Sequence, residues 1–532
     1  MSIPSETPHQ FPPAIGTAIL PTDSAEVAML KRELHRAQLK IQVLEEERRK
    51  LLLAKYGPSS EKLSDDQLRL LELEPGVSNE EVKAESERGQ EELNHRPKRK
   101  REAKPHPGRQ TLPANLPRVE EIVEVPVAQC FCNACQREMP VIGYEESEQL
   151  DVKPAEYFVR VTKREKRACS ACAKGGVKTA PVAPSIIEKS LVSDRIVVET
   201  VMAKYLDHLP LYRQSAMLAR DAGVEIHRST MCGWVMRVGG LLVPVAEAMR
   251  RELLMGNYIQ ADETPIQVQM HDGRGKNHQA YLWQYSAPFD ERSGGMGAGG
   301  IVLFDFQMGR GREAPKRMLR DFAGILQTDG YAAYDKVGAP GMVHAACWAH
   351  ARRKFMEALK LNAKDAEAAR MVARMDALFA IDAEARDAAM SIEQRHALRL
   401  AKAAGLVAAL REELLRLQKS TLPKSAMGQA VNYTLSLWKK LTVFLDHPVV
   451  ELSNNLAENS MRGVALGRKN WIHLGSENAG PKVAAILSIA ETCRRADIPV
   501  RDYLLDVLPG MADRKRSEVE KFTPNRWNQS RS

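Results

Sequence analysis

No stretch of the sequence approaches the ~18 consecutive apolar residues that a membrane-crossing helix needs, so no membrane partner is expected. The N-terminus lacks the charged n-region and apolar core of a secretory signal, and the expectation is a cytoplasmic protein. Cysteine is scarce. Eight in 532 residues cannot make a disulfide scaffold, and a chain this long buries a core without one. A strong charge imbalance is also missing. Lys plus Arg total 77 against 68 acids, a formal net charge of +9, which is a mild lean toward a polyanionic partner. The length suggests three or four domains.

Residues 1–22 are rich in Pro and Thr and read as a disordered N-terminus. In residues 23–56, Val27, Leu30, Leu34, Ala37, Ile41, Leu44 and Leu51 recur at alternating steps of three and four, with Arg48 in one slot. That is the a/d seam of a coiled coil, and it predicts a homo-oligomer, at least a dimer. A single amphipathic helix packed on its own core is the alternative, but no core-forming neighbour follows. Pro58 in "YGPSS" stops the helix. Residues 57–110 form a linker, acidic and then basic. "RPKRKREAKPHPGR", from Arg96 to Arg109, holds seven Lys/Arg and one Glu. Taken alone it is a solvated linker. With a DNA partner, Arg99, Lys100 and Arg101 form a flexible arm on phosphates or in a minor groove.

Residues 111–185 contain "CFCNAC", with Cys130, Cys132 and Cys135, and "CSAC", with Cys169 and Cys172. A C-x-x-C turn presents two thiolates on one side, and two such turns complete a tetrahedral structural zinc site. Cys132, Cys135, Cys169 and Cys172 are the expected ligands. Cys130 can substitute for Cys132, and a redox pair is the competing reading. Residues 186–250 read as helical. A helix from about Leu211 to Arg220, a turn at Gly223 and a second helix opening near Ser229, with Trp234 between them, follow helix-turn-helix grammar. An ordinary helical hairpin fits the same pattern.

From residue 251 the period changes. "NYIQADET" is a strand-like run ending in Asp262 and Glu263, followed by the strands "QAYLWQYSA" and "GGIVLFDF", the helix "REAPKRMLRDF", and a strand in "GILQTDGYAAY" ending at Asp329 before Gly330. This order predicts a mixed sheet of ribonuclease-H type over residues 251–356, within a multidomain α+β chain. An all-helical insertion follows over 357–447. The core resumes over 448–510, and residues 511–532 form a basic tail. "SNNLAENSMRGVALGRKNW", from Ser453, holds one acid, Glu458, followed by Arg462, Arg468 and Lys469.

Three acids at element ends suit a hard divalent cation. Mg²⁺ takes one or two carboxylates and keeps waters, and two such ions clamp the oxygens of an in-line phosphoryl displacement. The basic residues would hold the polyanion. Each acid also has a plain structural explanation. Asn455 and Glu458 match a capping box, Glu458 and Arg462 an i,i+4 pair, and Asp262 and Asp329 can be turn acids.

The blocks "YGPSSEKL", "CNAC…CSAC", "KYLDHLPLYRQ", "ADET", "TDGYAAY", "CWAHARRKF", "NNLAEN" and "ALGRKNW", in this order, resemble the transposases of the bacterial insertion sequence sixty-six group, a branch of the DDE transposases. The resemblance runs from about residue 25 to 510. It implies that Asp262, Asp329 and Glu458 are catalytic and hold two Mg²⁺ (or Mn²⁺) ions. It implies cleavage at terminal inverted repeats of double-stranded DNA and joining of the freed 3′-hydroxyl to target DNA. It implies work at the nucleoid, beside small accessory proteins encoded by the same element. Ser453 stands where the family often has an acid, Asn459 where it has Arg, Gln136 where it has Gly and Pro58 where it has a basic residue.

His344, Cys347 and His350 are spaced by three. The pattern resembles a C-x-x-H found in many DDE enzymes, and a packed strand-to-helix junction explains it as well. Arg352, Arg353 and Lys354 read as phosphate contacts. Two other functions compete with a transposase. One is a catalytically inactive DNA-binding repressor derived from a transposase, which has no need of the acids. The other is a nuclease without strand transfer, which has no need of the coil, zinc module and helix-turn-helix.

Overall fold

The computed structural model describes residues 25–56, 156–168, 177–270, 276–288, 300–362 and 364–531. The chain divides into two compact units, residues 1–90 with 180–532, and residues 91–179. The larger unit opens with helix α1 (Ala25–Tyr56). Its Glu46 carboxylate accepts from the Ala426 amide at 3.0 Å, while Val27, Leu30, Leu34, Ile41, Leu44 and Leu51 remain exposed along it. In the smaller unit, β1 (Lys166–Ala168) and β2 (Val177–Thr179) pair antiparallel. Cys130, Cys132, Cys135, Cys169 and Cys172, like Arg99, Lys100 and Arg101, lie outside the described residues.

Helices α2 (Asp194–Tyr205), α3 (Leu211–Ala222) and α4 (Arg228–Leu254) follow. Gly223 ends α3 with φ +66°, a left-handed cap that glycine adopts without strain. The cap of α4 is His227, whose ring accepts from the Ser229 amide, so the helix opens close to Ser229, as the sequence suggests. Among the described residues α4 is the one helix long and apolar enough to cross a membrane by length and composition. Here Met231, Val235, Val238, Leu242, Val245, Met249 and Leu253 bury it in the larger core.

The mixed sheet follows, with β3 (Tyr258–Val268), β4 (His278–Ser286), β5 (Val302–Gln307), helix α5 (Glu313–Leu319), β6 (Ile325–Thr328) and β7 (Val343–Ala346). Spatial order is β5-β4-β3-β6-β7. The first three form an antiparallel meander, whereas β6 and β7 run parallel to β3. The strand that carries Asp262 does not end there. It continues through Pro265 to Val268, paired with β4 throughout. Pro265 is tolerated because β3 leaves β6 after Gln260 (paired with Gln327), so its missing N–H faces no ladder.

Helix α6 (Trp348–Leu361) leads directly into the insertion, which comprises α7 (Ala366–Asp387), α8 (Ile392–Leu398), a π-turn at Arg399–Ala403, α9 (Ala404–Ser420), α10 (Ala426–Ser436), α11 (Trp438–Leu441) and α12 (Val443–Asp446). It builds a second core with β7 and with Val450 and Leu452. The chain then returns through α13 (Asn455–Trp471), β8 (His473–Leu474), which pairs with the far end of β3, and α14 (Gly480–Arg495), α15 (Val500–Val507) and α16 (Pro524–Gln529). Helix α14 covers the sheet edge. Its Thr492 and Ser488 hydroxyls accept the outward amides of Val302 (2.9 Å) and Phe304 (2.8 Å) on β5. Bare edge amides are thereby satisfied without another strand.

Candidate active site

Side chains alternate along β3, so Tyr258, Gln260 and Asp262 rise from one face while Glu263 projects from the other. The parallel register sets Gln327 of β6 beside Gln260, and Asp329 follows β6 by one residue. Beyond this pair β3 and β6 part, and the two aspartates stand at the mouth of the gap. Gly330, with φ +94°, turns the chain there, and a Cβ on it would meet Leu437 Cδ1 at 2.5 Å. The Asp329 carboxylate accepts from the Tyr331 amide at 2.8 Å.

Glu458 arrives on α13. The helix begins at Asn455, with Asn454 in the cap position and no side-chain cap bond, so the capping-box explanation does not hold. The Glu458 carboxylate instead faces α6, with Oε1 3.5 Å from His350 Nδ1 and Oε2 3.4 Å from Arg353 Nη2. The Arg495 guanidinium of α14 donates to Leu456 O and Ser460 Oγ, which flank Glu458 on its helix.

Electrostatics tie the three acids together. Burial pushes the Asp262 carboxyl well above the usual range, and the Glu458, Glu263 and Asp329 carboxylates push it the same way. Glu263 is also raised by burial, but Arg310 (2.6 Å) and the Tyr334 hydroxyl (2.9 Å) pull it back. Arg310 stacks 4.0 Å over the Tyr331 ring, so a cation–π brace joins Glu263 to the loop of Asp329. Burial and the Arg353 charge hold the His350 imidazole below its ordinary pKa, against the pull of Glu458.

The other predicted residues separate. Arg352 is buried with its guanidinium on Asp376 of the insertion, which turns it away from any phosphate at the acids. Lys354 is half-buried and pairs with Glu357 at 3.3 Å. Arg468 donates to Thr264 Oγ1 (2.8 Å) and Pro265 O (2.9 Å), closing the edge of β3 that the proline leaves open. Arg462 is half-buried on α13 and Lys469 exposed. Cys347 and Trp348 are core residues, and His344 faces Lys440 and Asp335, so only His350 of that spaced group reaches the acids. Sequence reasoning missed Glu263, Arg310, Arg495, Gln260 and Gln327. The glutamines had left a signal, the repeated Gln-x-Asp of "QAD" and "QTD".

Residues 189–482 match the Transposase IS66 family, residues 118–173 the zinc-finger binding domain of transposase IS66, and residues 43–120 the transposase C of IS166 homeodomain. The chain belongs to the IS66 transposase family. Relatives lie in Sinorhizobium fredii (strain NBRC 101917 / NGR234). Uncharacterized protein y4qI is 33% identical over 526 residues, covering 97% of this chain and 94% of the relative. Uncharacterized protein y4jD is 31% identical over 78% of the chain and 81% of its own length.

The IS66 transposase match spans all three acids. Their surroundings suit a hard cation. Two buried oxygens here, Glu458 Oε1 and Asn454 Oδ1, make no hydrogen bond. Asp262 is crowded by like charge that a cation would relieve. Among the described residues no three His, Cys, Asp or Glu side chains gather tightly enough to ligate one ion as they stand. The carboxylate oxygens are right in kind for such an ion.

Proposed function

We propose that this IS66-family chain is a DNA transposase that cleaves the terminal inverted repeats of a bacterial insertion sequence and joins the 3′ ends to target DNA. The observation that carries the reading is the convergence of Asp262, Asp329 and Glu458 from three separate segments, with Asp262 raised by burial and then by the neighbouring carboxylates. A ribonuclease-H-like core is supported by the antiparallel meander and the two parallel strands on its far side. Asp262, Asp329 and Glu458 would hold two Mg²⁺ or Mn²⁺ ions, which supply Lewis-acid activation of the attacking oxygen and stabilise the leaving one.

The chain's own residues do the rest. His350 and Arg353 hold the Glu458 carboxylate from α6. Arg353, Lys354, Arg462 and Lys469 supply positive charge for the phosphates beside the acids. Arg352 and Arg468 hold the frame. Residues 111–185 form the zinc module, with Cys132, Cys135, Cys169 and Cys172 as ligands, and α2 to α4 form a helix-turn-helix-like reader of the element ends. Arg99, Lys100 and Arg101 form a DNA arm. Helix α1 pairs protomers, and its exposed apolar stripe supports this. Small accessory proteins of the same element complete the set, at the nucleoid.

The test uses labelled DNA flanking the gene, cut to include its inverted repeats, with Mg²⁺ and a plasmid target. Joined product from the wild-type protein, absent with Asp262→Asn, is the expected result. Asp329→Asn should still bind the ends in Ca²⁺. Binding without cleavage, persisting when the neighbouring gene products are added, would replace this reading with a repressor.

A further inference from the structure

Both catalytic-strand aspartates follow a glutamine by two residues, and both glutamines are fully buried. Gln260 Nε2 donates to Gln327 Oε1 at 3.1 Å and to Ser453 O at 3.0 Å. Gln327 Nε2 donates to Glu451 O at 2.7 Å, and the Tyr258 hydroxyl donates to Gln327 Oε1. The Glu451 amide closes the set on Tyr258 Oη at 3.2 Å. Segment 451–453 is thus laced to β3 and β6 by side chains rather than by a backbone ladder. Glu458 lies five residues past Ser453 (458 − 453).

The side chain of Glu451 leaves in the opposite direction. Arg395 of the insertion grips it with two bonds, at 2.9 and 2.6 Å. Arg395 also reaches Asp382 at 2.7 Å, and Asp382 takes both prongs of the fully buried Arg399 at 2.8 and 2.7 Å. Arg399 opens the π-turn and donates to the carbonyls of Phe444 and Pro448, each at 3.2 Å, just ahead of the laced segment. A buried ionic network adds little stability over an apolar one of the same shape, but its forked bonds fix geometry.

We propose that Arg395 and Glu451 are positioning residues for the third acid. The insertion acts through them, and through Gln260 and Gln327, to set where α13 presents Glu458 to the two aspartates. This rests on the reading of the three acids as metal ligands.

The experiment titrates the full-length protein with Mn²⁺ and follows its thermal unfolding midpoint, alongside the Mn²⁺ dependence of end cleavage. Glu451→Gln should raise the half-saturating Mn²⁺ about tenfold in both readouts, the scale of losing a partner that orients a ligand. Gln327→Leu should do the same, and Arg395→Lys, which keeps the charge but loses the fork, should fall between. Glu413→Gln is the control. It loosens an ion pair with Arg374 (2.9 Å) inside the insertion and should lower the midpoint without moving the Mn²⁺ value. If Glu451→Gln, Gln327→Leu and Arg395→Lys, or those of them that fold, lower only the midpoint, the network is merely structural and the proposal falls. If the wild-type midpoint ignores Mn²⁺, the metal-ligand reading falls and takes the proposal with it.

Discussion

Single side chains in this molecule are decided by which way they leave a helix. Arg352 and Arg353 are neighbours in sequence, yet one is buried on Asp376 and the other reaches Glu458. Adjacent helical positions point about 100° apart, and nothing in the local pattern marks which of them faces the acids. The three acids stood out in the sequence as candidates because the chemistry calls for carboxylates, yet Asp262 lies inside β3 and not at its end. Asp382 was not legible, since its partners are residues 395 and 399 of an insertion with no motif. Burial alone would push its carboxyl up, but Arg399 and Arg395 hold it at about 2, below the usual 3.8. The unfolded chain therefore takes up the proton first. The stabilisation, about 2 kcal/mol, is present above the ordinary carboxyl range and is lost as pH falls through about 2. Urea unfolding of wild-type and Asp382→Asn proteins should differ most near neutral pH and converge on acidification.

At the scale of elements, the strands and helices were readable but their ends were not. The Thr-Pro after Asp262 suggests a strand end, and β3 runs on because Arg468 takes the carbonyl that no strand faces. The hydroxyl cap on β5 left no local trace, since Ser488 and Thr492 lie 184 and 190 positions from the amides they satisfy. Thr492→Val keeps the shape and orphans the Val302 amide. It should cost about 1–3 kcal/mol in chemical denaturation. Thr492→Ser, which retains the hydroxyl, should recover most of that loss.

For the whole molecule, the mixed make-up of helices and sheet was foreseen from periodicity and motif order. The two separate cores were not, because pairing across an insertion is invisible to local pattern. Ile41 and Leu44 are half exposed on α1, at 50% and 53%, so they contribute little to the fold of a single chain. Ile41→Asp with Leu44→Asp should lower the mass measured by light scattering to that of a monomer. The thermal midpoint extrapolated to low protein concentration should stay unchanged.

The cap on β5 also sets an order of events during synthesis. Strand β5 leaves the ribosome long before α14, so its outer amides await partners until residue 495 has emerged. Until then the nascent sheet offers an open edge to other chains. Helix α13, which carries Glu458, appears in the same interval. A chain whose translation stops before α13 lacks both the guard on its sheet and Glu458, and its open strand edge is prone to aggregation.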